Sequence, residues 1–226
     1  MSTWVVLAAA GRGERLGSDL PKAFVPFGGR VLLAESMARL DACPWVDGIV
    51  VTVPPDWEEP AILLAEQLGC DKVSAAIVGG ASRAESVALA IEEIPADAAV
   101  IMVHDAARPL LPPDLVERLL KALLSGFDGA VPGLPVTDTV KRWRDGVVVE
   151  TPLRAELVAV QTPQAFTADV LRRALRSGDL AAATDDASLV EAAGGRVTVI
   201  PGDPRLLKVT GPEDVERALA LLAAGA

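Results

Sequence analysis

The sequence predicts an α/β fold: a mainly parallel sheet with helices on both faces. Three observations carry this. Short apolar, β-branched runs recur without polar alternation, as in Val5-Val6-Leu7, Ile49-Val50-Val51-Thr52-Val53 and Val100-Ile101-Met102-Val103, which is the pattern of strands buried on both faces. Segments of helical period fall between these runs. Hydrophobic residues make up 51% of a 226-residue chain, ample for one core of the size such a domain needs.

Taken in order, the first strand spans Trp4 to Ala8, a glycine-rich cationic loop follows, and a helix covers Val31 to Asp41. The run from Val46 to Val53 is a buried strand closed by Pro54-Pro55. A helix from Asp56 to Leu68 leads to a strand at Lys72 to Val78. Ser82 to Ile94 reads as a helix, with Ser82 and Glu85 forming an S-x-x-E capping box. Ala98 to Val103 is a buried strand, and Pro112-Pro113-Asp114 opens a helix that runs to Leu124. Later come a helix at Ala168 to Arg176, another opened by Thr184-Asp185-Asp186, strands at Val197 to Ile200 and Arg205 to Thr210, and a last helix at Pro212 to Leu222.

Past Asp128 the strand–helix alternation stops. Residues Val136 to Glu150 read as two strands joined by the Asp145-Gly146 turn, a hairpin signal with no helix to cover it. A lone hairpin is marginal in water, and Trp143, Val147 and Val149 need a covering surface. An arm over residues 134–155, packed on a second subunit, meets that need better than a hairpin folded back on its own domain.

Composition narrows the function. A net charge of −10 disfavours non-specific binding to nucleic acid or anionic membrane. The apolar runs are too short to span a bilayer, and Val5 to Ala10 reads as a core strand. Cys43 and Cys70 form neither a C-x-x-C nor a ligand cluster, so reduced thiols in the cytoplasm are expected.

The cations of this acidic chain gather at its start. Ala9-Ala10-Gly11-Arg12-Gly13-Glu14-Arg15 is followed by Pro21-Lys22, so Arg12, Arg15 and Lys22 fall within eleven residues. Small residues remove the Cβ bulk that would hold a polyphosphate away from backbone amides, and the cations can offset charge that develops during phosphoryl or nucleotidyl transfer. The spacing is not that of better-known phosphate loops. Leu16 occupies the third position of a G-x-G-x-x-G fingerprint, and no Gly-Lys-Ser/Thr occurs. A hydride-transferring dinucleotide enzyme is thereby disfavoured. Further on, His104-Asp105-Ala106-Ala107-Arg108-Pro109 sits where a buried strand ends, so Asp105 emerges at the ligand edge of the sheet. A carboxylate there can hold Mg²⁺ together with substrate phosphates. His104, the only histidine, is read as structural. Thr184-Asp185-Asp186 is read as a helix cap, with Thr184 a candidate polar contact.

The loop, Pro21-Lys22, Gly79-Gly80 with Arg83 and Ser86, the His104–Pro109 segment, Asp138-Thr139, Gln161-Thr162-Pro163-Gln164, Thr184 to Ser188 and Lys208-Val209-Thr210 together resemble the 2-C-methyl-D-erythritol 4-phosphate cytidylyltransferases of non-mevalonate isoprenoid biosynthesis. The likeness runs in order along nearly the whole chain. It implies one Rossmann-like nucleotidyltransferase domain over residues 1–226, Mg²⁺ as cofactor, and a homodimer whose β-arms are exchanged. It implies that Arg15 and Lys22 are catalytic and stabilise the pentavalent α-phosphate, while Ala9, Ala10, Gly11 and Gly13 wrap the triphosphate. Gly80, Ala81, Ser86 and Ala106 would border the cytidine. Asp105, Arg108, Thr162, Thr184 and Lys208 would line the methylerythritol phosphate side, with Thr139 and Arg154 arriving from the partner's arm. Ala8 stands where the family usually has proline, and Ala81 where a polar residue is common. Two rivals remain at this stage. One is a nucleotidyltransferase of the same fold acting on a sugar phosphate or molybdopterin; the other is a non-catalytic nucleotide-binding subunit, against which intact Arg15, Lys22 and Asp105 speak.

Overall fold

The computed structural model describes residues 2–11, 13 and 20–225. Strand β1 (Thr3–Ala8) is followed by a small ribbon of β2 (Pro26–Phe27) and β3 (Arg30–Val31), then α1 (Leu32–Asp41), β4 (Gly48–Val53), α2 (Glu58–Leu68) and β5 (Val73–Val78). Next come α3 (Arg83–Ile91), β6 (Val100–Asp105), α4 (Leu115–Leu124) and β7 (Gly129–Pro135). A hairpin of β8 (Arg142–Arg144) and β9 (Val147–Glu150) leads to β10 (Val158–Val160), β11 (Gln164–Thr167), α5 (Ala168–Ser177), α6 (Asp186–Ala192), β12 (Val197–Pro201) and α7 (Pro212–Ala223).

The main sheet runs in the order β10-β7-β11-β6-β1-β4-β5, with β12 beside β7. Strands β6, β1, β4 and β5 are parallel, and β11 is antiparallel to both of its neighbours. From β1 the chain steps outward through β4 to β5, then returns to lay β6 on the other side of β1. The order therefore reverses between β1 and β6, and ligands in such sheets bind beyond the carboxyl ends of the strands at that reversal.

Alternate residues of the strands build two cores. Val5, Leu7, Val51 and Met102 pack with Leu33, Met37, Ala61, Leu115 and Leu119 of α1, α2 and α4. Val6, Val50, Ile101 and Val103 pack with Val87, Ile91, Leu171 and Val190 of α3, α5 and α6. Both faces are thus covered, which is why these strands read as unbroken apolar runs. A third cluster seats α7, through Ala218, against Phe27, Leu32, Leu110 and Val209.

Several expected elements differ. Ser82 caps α3 through the predicted box, with Glu85 N–H donating to its hydroxyl, but that helix ends at Ile91. Residues 136–140 form no strand; the hairpin's first strand is confined to Arg142–Arg144. Its turn is as expected, with Asp145 and Gly146 at φ 49° and 80°, the pairing that twists two strands together in the sense a hairpin needs. The stretch Arg205 to Thr210 is no strand either: Pro204–Leu206 forms a single 3₁₀ turn. In the second half, β7, β10 and β11 extend the sheet where the sequence shows no strand period. Trp143 and Val147 are 67% and 64% exposed, and among the described residues β8 and β9 pair with each other as a separate two-stranded sheet.

Candidate active site

A cavity of about 760 Å³ opens where β1 and β6 end, large enough for a nucleotide. Its walls are Ala8 to Gly11 and Gly13 after β1, Gly80 to Arg83 and Ser86 at the start of α3, and Asp105 to Ala107 after β6; Lys22, Lys208 and Thr210 close the rim. Eleven of the residues marked in the sequence meet there: Ala9, Ala10, Gly11, Gly13, Lys22, Gly80, Ala81, Ser86, Asp105, Ala106 and Lys208.

Close approach explains the glycines. Gly13 has φ +69°, and a Cβ on it would lie 2.6 Å from the Cβ of Lys22. A Cβ on Gly79 would meet Ala10 at 2.4 Å and the Ser86 hydroxyl at 2.7 Å. Both contacts hold the β1 loop against its neighbours with no side chain between them. The next turn has spent its amide donors: Gly80 N–H donates to Ser86 Oγ and Ala81 N–H to Glu85 Oε2. What these two residues can still offer a ligand from the backbone is carbonyl oxygen.

Asp105 lies in a cage of cations. Arg83 Nε is 3.0 Å from its Oδ1, Lys208 Nζ is 2.8 Å from Oδ2, and Arg108 Nε is 3.8 Å from Oδ2. Burial acts to raise its pKa, but Arg83, Lys208 and Arg108 outweigh burial and hold the carboxyl well below the usual range. Arg83 reaches on to Asp186, 2.7 Å away and fully buried, tying α3 and β6 to α6. Arg108 donates through its Nη1 to the Leu206 carbonyl, so it braces the segment that delivers Lys208. Sequence reasoning noted Arg83 only as part of a pattern; its position just after a capping serine at the ligand edge is the signal that marks it.

Behind Asp105 lies a second network. His104 Nε2 is 3.1 Å from the Arg108 carbonyl, which can only accept, so Nε2 carries the proton. Nδ1 is then an acceptor, and the Thr162 hydroxyl, 3.0 Å away, donates to it. The same hydroxyl accepts the Asp105 N–H at 3.0 Å. Burial pushes His104 down to about 4. The structural reading of His104 agrees with this geometry. Thr162, expected to touch substrate, is 5% exposed with its hydroxyl hydrogen committed to His104; it positions the end of β6.

The remaining expected residues lie elsewhere. Arg15 falls outside the described residues. Thr184 is exposed and does not line the cavity, while its neighbour Asp185 caps α6 by accepting from Ser188 N–H. Thr139 and Arg154 are exposed near the arm, Arg154 donating to the Thr137 carbonyl at 2.7 Å.

The chain is similar to known proteins along nearly its whole length. A family profile described as 2-C-methyl-D-erythritol 4-phosphate cytidylyltransferase matches residues 3–224. The protein of that name from Nocardia farcinica is 47% identical over 222 residues, covering 98% of this chain and 94% of its own. The one from Frankia casuarinae is also 47% identical, over 96% of this chain and 80% of its own. Among solved structures, the Thermus thermophilus enzyme of the same name superposes with a TM-score of 0.78 at 34% identity, over 96% of this chain and 98% of that one.

Proposed function

The chain belongs to the 2-C-methyl-D-erythritol 4-phosphate cytidylyltransferase family, and on that premise we propose how its own residues join CTP to methylerythritol phosphate. A phosphate oxygen of the methylerythritol phosphate attacks the α-phosphorus of CTP. A new P–O bond forms, the bond to the β,γ-pyrophosphate breaks, and the products are the cytidine diphosphate-linked methylerythritol and pyrophosphate. The nucleophile is already an oxyanion, so positioning and cations suffice. The observation that carries this reading is the rim of the cavity: Lys22 held against Gly13 on one side, Lys208 on the other, and the sole histidine sealed behind Asp105. Lys22, joined by Arg15, stabilises the charge that builds on the α-phosphate. Ala9 to Gly11 and Gly13 receive the triphosphate. Carbonyl acceptors at Gly80 and Ala81 suit the amino group of cytosine, which uracil lacks.

Nucleotidyltransfer of this kind implies a divalent cation. The described residues contain no group of three His, Cys, Asp or Glu side chains that could hold one. Asp105, the expected ligand, already faces three cations. That donor set does not fit a metal held by the protein. We assign Mg²⁺ to the triphosphate, so that the substrate is the magnesium complex of CTP, and we assign Asp105 the task of placing Lys208, Arg83 and Arg108.

The exposed arm supports a homodimer in which Thr139 and Arg154 complete the neighbour's methylerythritol phosphate site. The deciding assay is pyrophosphate release with each of the four nucleoside triphosphates, with and without methylerythritol phosphate. Release only with CTP and the acceptor together is expected; release with another triphosphate, or without the acceptor, would reject the assignment.

A further inference from the structure

Lys208 reaches the cavity from a segment without regular structure: Leu207 to Thr210, between the 3₁₀ turn at Pro204–Leu206 and α7, are neither helix nor strand. Its side chain is 42% exposed, and its Nζ is 2.8 Å from Asp105 Oδ2. A half-exposed lysine gains little from one ion pair, because ordering its flexible stem offsets much of the attraction. The ammonium is well placed only if the backbone beneath it is fixed.

Two hydrogen bonds fix it on the β6 side. Arg108 Nη1 donates to the Leu206 carbonyl at 2.7 Å, and Val209 N–H donates to the Ala107 carbonyl at 2.8 Å. On the α7 side three donors converge on one atom. Thr210 N–H at 2.8 Å, the Thr210 hydroxyl, and Gly211 N–H at 3.1 Å all donate to Asp214 Oδ2. Asp214 stands in the first turn of α7, and Ala218, one turn further on, packs with Val209 and Leu32 in the third cluster. The helix therefore carries this carboxylate as a fixed point. The same bonds take Thr210 out of phosphate recognition. Thr210 lines the cavity, but its N–H and its hydroxyl hydrogen are both given to Asp214, which leaves it only lone pairs to turn toward a ligand. A phosphate needs donors, and Lys208 supplies them.

We infer that Asp214 is a positioning residue: through Thr210 and the backbone of residues 208–211 it holds Lys208 where the ammonium meets the phosphate of methylerythritol phosphate. This rests on the cytidylyltransferase reading of the same cavity. It makes α7 a support of the acceptor site, although the helix itself does not line the cavity. Capping alone otherwise accounts for an acidic residue in a helix's first turn.

Calorimetry separates the two roles. The acceptor, methylerythritol phosphate, is titrated into Lys208→Ala, Asp214→Ala and the double variant, with magnesium and a non-hydrolysable CTP analogue present. Loss of a charged hydrogen bond should raise the acceptor Kd roughly tenfold to a hundredfold in Lys208→Ala, and by at least about fivefold in Asp214→Ala. The Kd of the analogue should stay unchanged in Asp214→Ala, and Asp214→Asn, which keeps an oxygen acceptor, should recover most of the acceptor affinity. Coupling decides the matter: once Lys208 is gone, Asp214→Ala should weaken the acceptor no further. A lower Tm with wild-type acceptor affinity in Asp214→Ala would overturn the inference, as would a loss that adds in full to that of Lys208→Ala. Should Asp214→Ala not fold, Thr210→Val removes the hydroxyl's share of the anchor, and its smaller loss should vanish in the same way beside Lys208→Ala. A wild type that binds no methylerythritol phosphate would overturn the cytidylyltransferase reading, and this inference with it.

Discussion

Gly13 makes room for Lys22: a Cβ at position 13 would stand 2.6 Å from the lysine's Cβ and 3.0 Å from its Cα. The obstruction would be backbone as well as side chain, so Gly13→Ala must move the loop or the lysine, and φ +69° adds strain for any L side chain. A displacement of about 1 Å in a charge-stabilising group costs on the order of a hundredfold in rate. Gly13→Ala is therefore expected to lower kcat to nearly the level of Lys22→Ala, with a smaller change in CTP binding. Steady-state kinetics on both variants check this, and wild-type kcat in Gly13→Ala would show that the loop does not place Lys22.

Asp105→Asn should leave the magnesium requirement where it is and still impair turnover. Removing the charge leaves Arg83 and Lys208 facing an amide, so the rim of the cavity becomes more positive and less ordered. The measurement is rate against Mg²⁺ concentration at saturating CTP, with chelator as the zero point. A many-fold rise in the half-saturating Mg²⁺ concentration would restore Asp105 as a metal ligand.

His104 predicts a sensitivity to acid. Its pKa is about 4 when folded against 6.5 as the ordinary value, so between those two pH values the unfolded chain binds more protons. Stability then falls as pH drops through that window. The difference of about 2.5 pKa units corresponds to a loss on the order of 3 kcal/mol by pH 4. Asp105, held low, loses its contribution only below its ordinary carboxylate range. Asp186, raised chiefly by burial, works in the opposite sense just above that range. Urea unfolding from pH 7 to 4 should show the decline in wild type and a flatter profile in His104→Gln. Parallel profiles would mean that His104 is not kept neutral.

Mixing two inactive variants tests the arm. If Arg154 serves the neighbouring subunit, a heterodimer of Lys22→Ala and Arg154→Ala collects both defects in one site and neither in the other. Random exchange makes half the dimers mixed, so activity should return to roughly a quarter of wild type. Arginine suits the role because its planar fork can grip a phosphate through two hydrogen bonds. Confirmed exchange with no recovery would place the function of Arg154 within one chain.

The sequence by itself determined the α/β class, the cap of α3, the Asp145-Gly146 hairpin, and the gathering of Ala9 to Gly11, Gly13, Lys22 and Asp105 at the ligand edge. These are local quantities: period, punctuation, and the residue types at a strand's end. Tertiary structure alone decided the rest. Strand β7 contains Pro132, Gly133 and Pro135 and reads as loop, yet pairing with β10, β11 and β12 makes it a strand, because partners can supply what propensity lacks. Whether a threonine faces ligand or protein was equally invisible. Thr162 turns inward because His104 and Asp105 meet it from 58 and 57 residues away. Asp105 reads as a metal ligand in the sequence, and only the fold shows Arg83, Arg108 and Lys208 converging on it. A side chain's partner is set by which distant segments fold against it, and no window along the chain contains them.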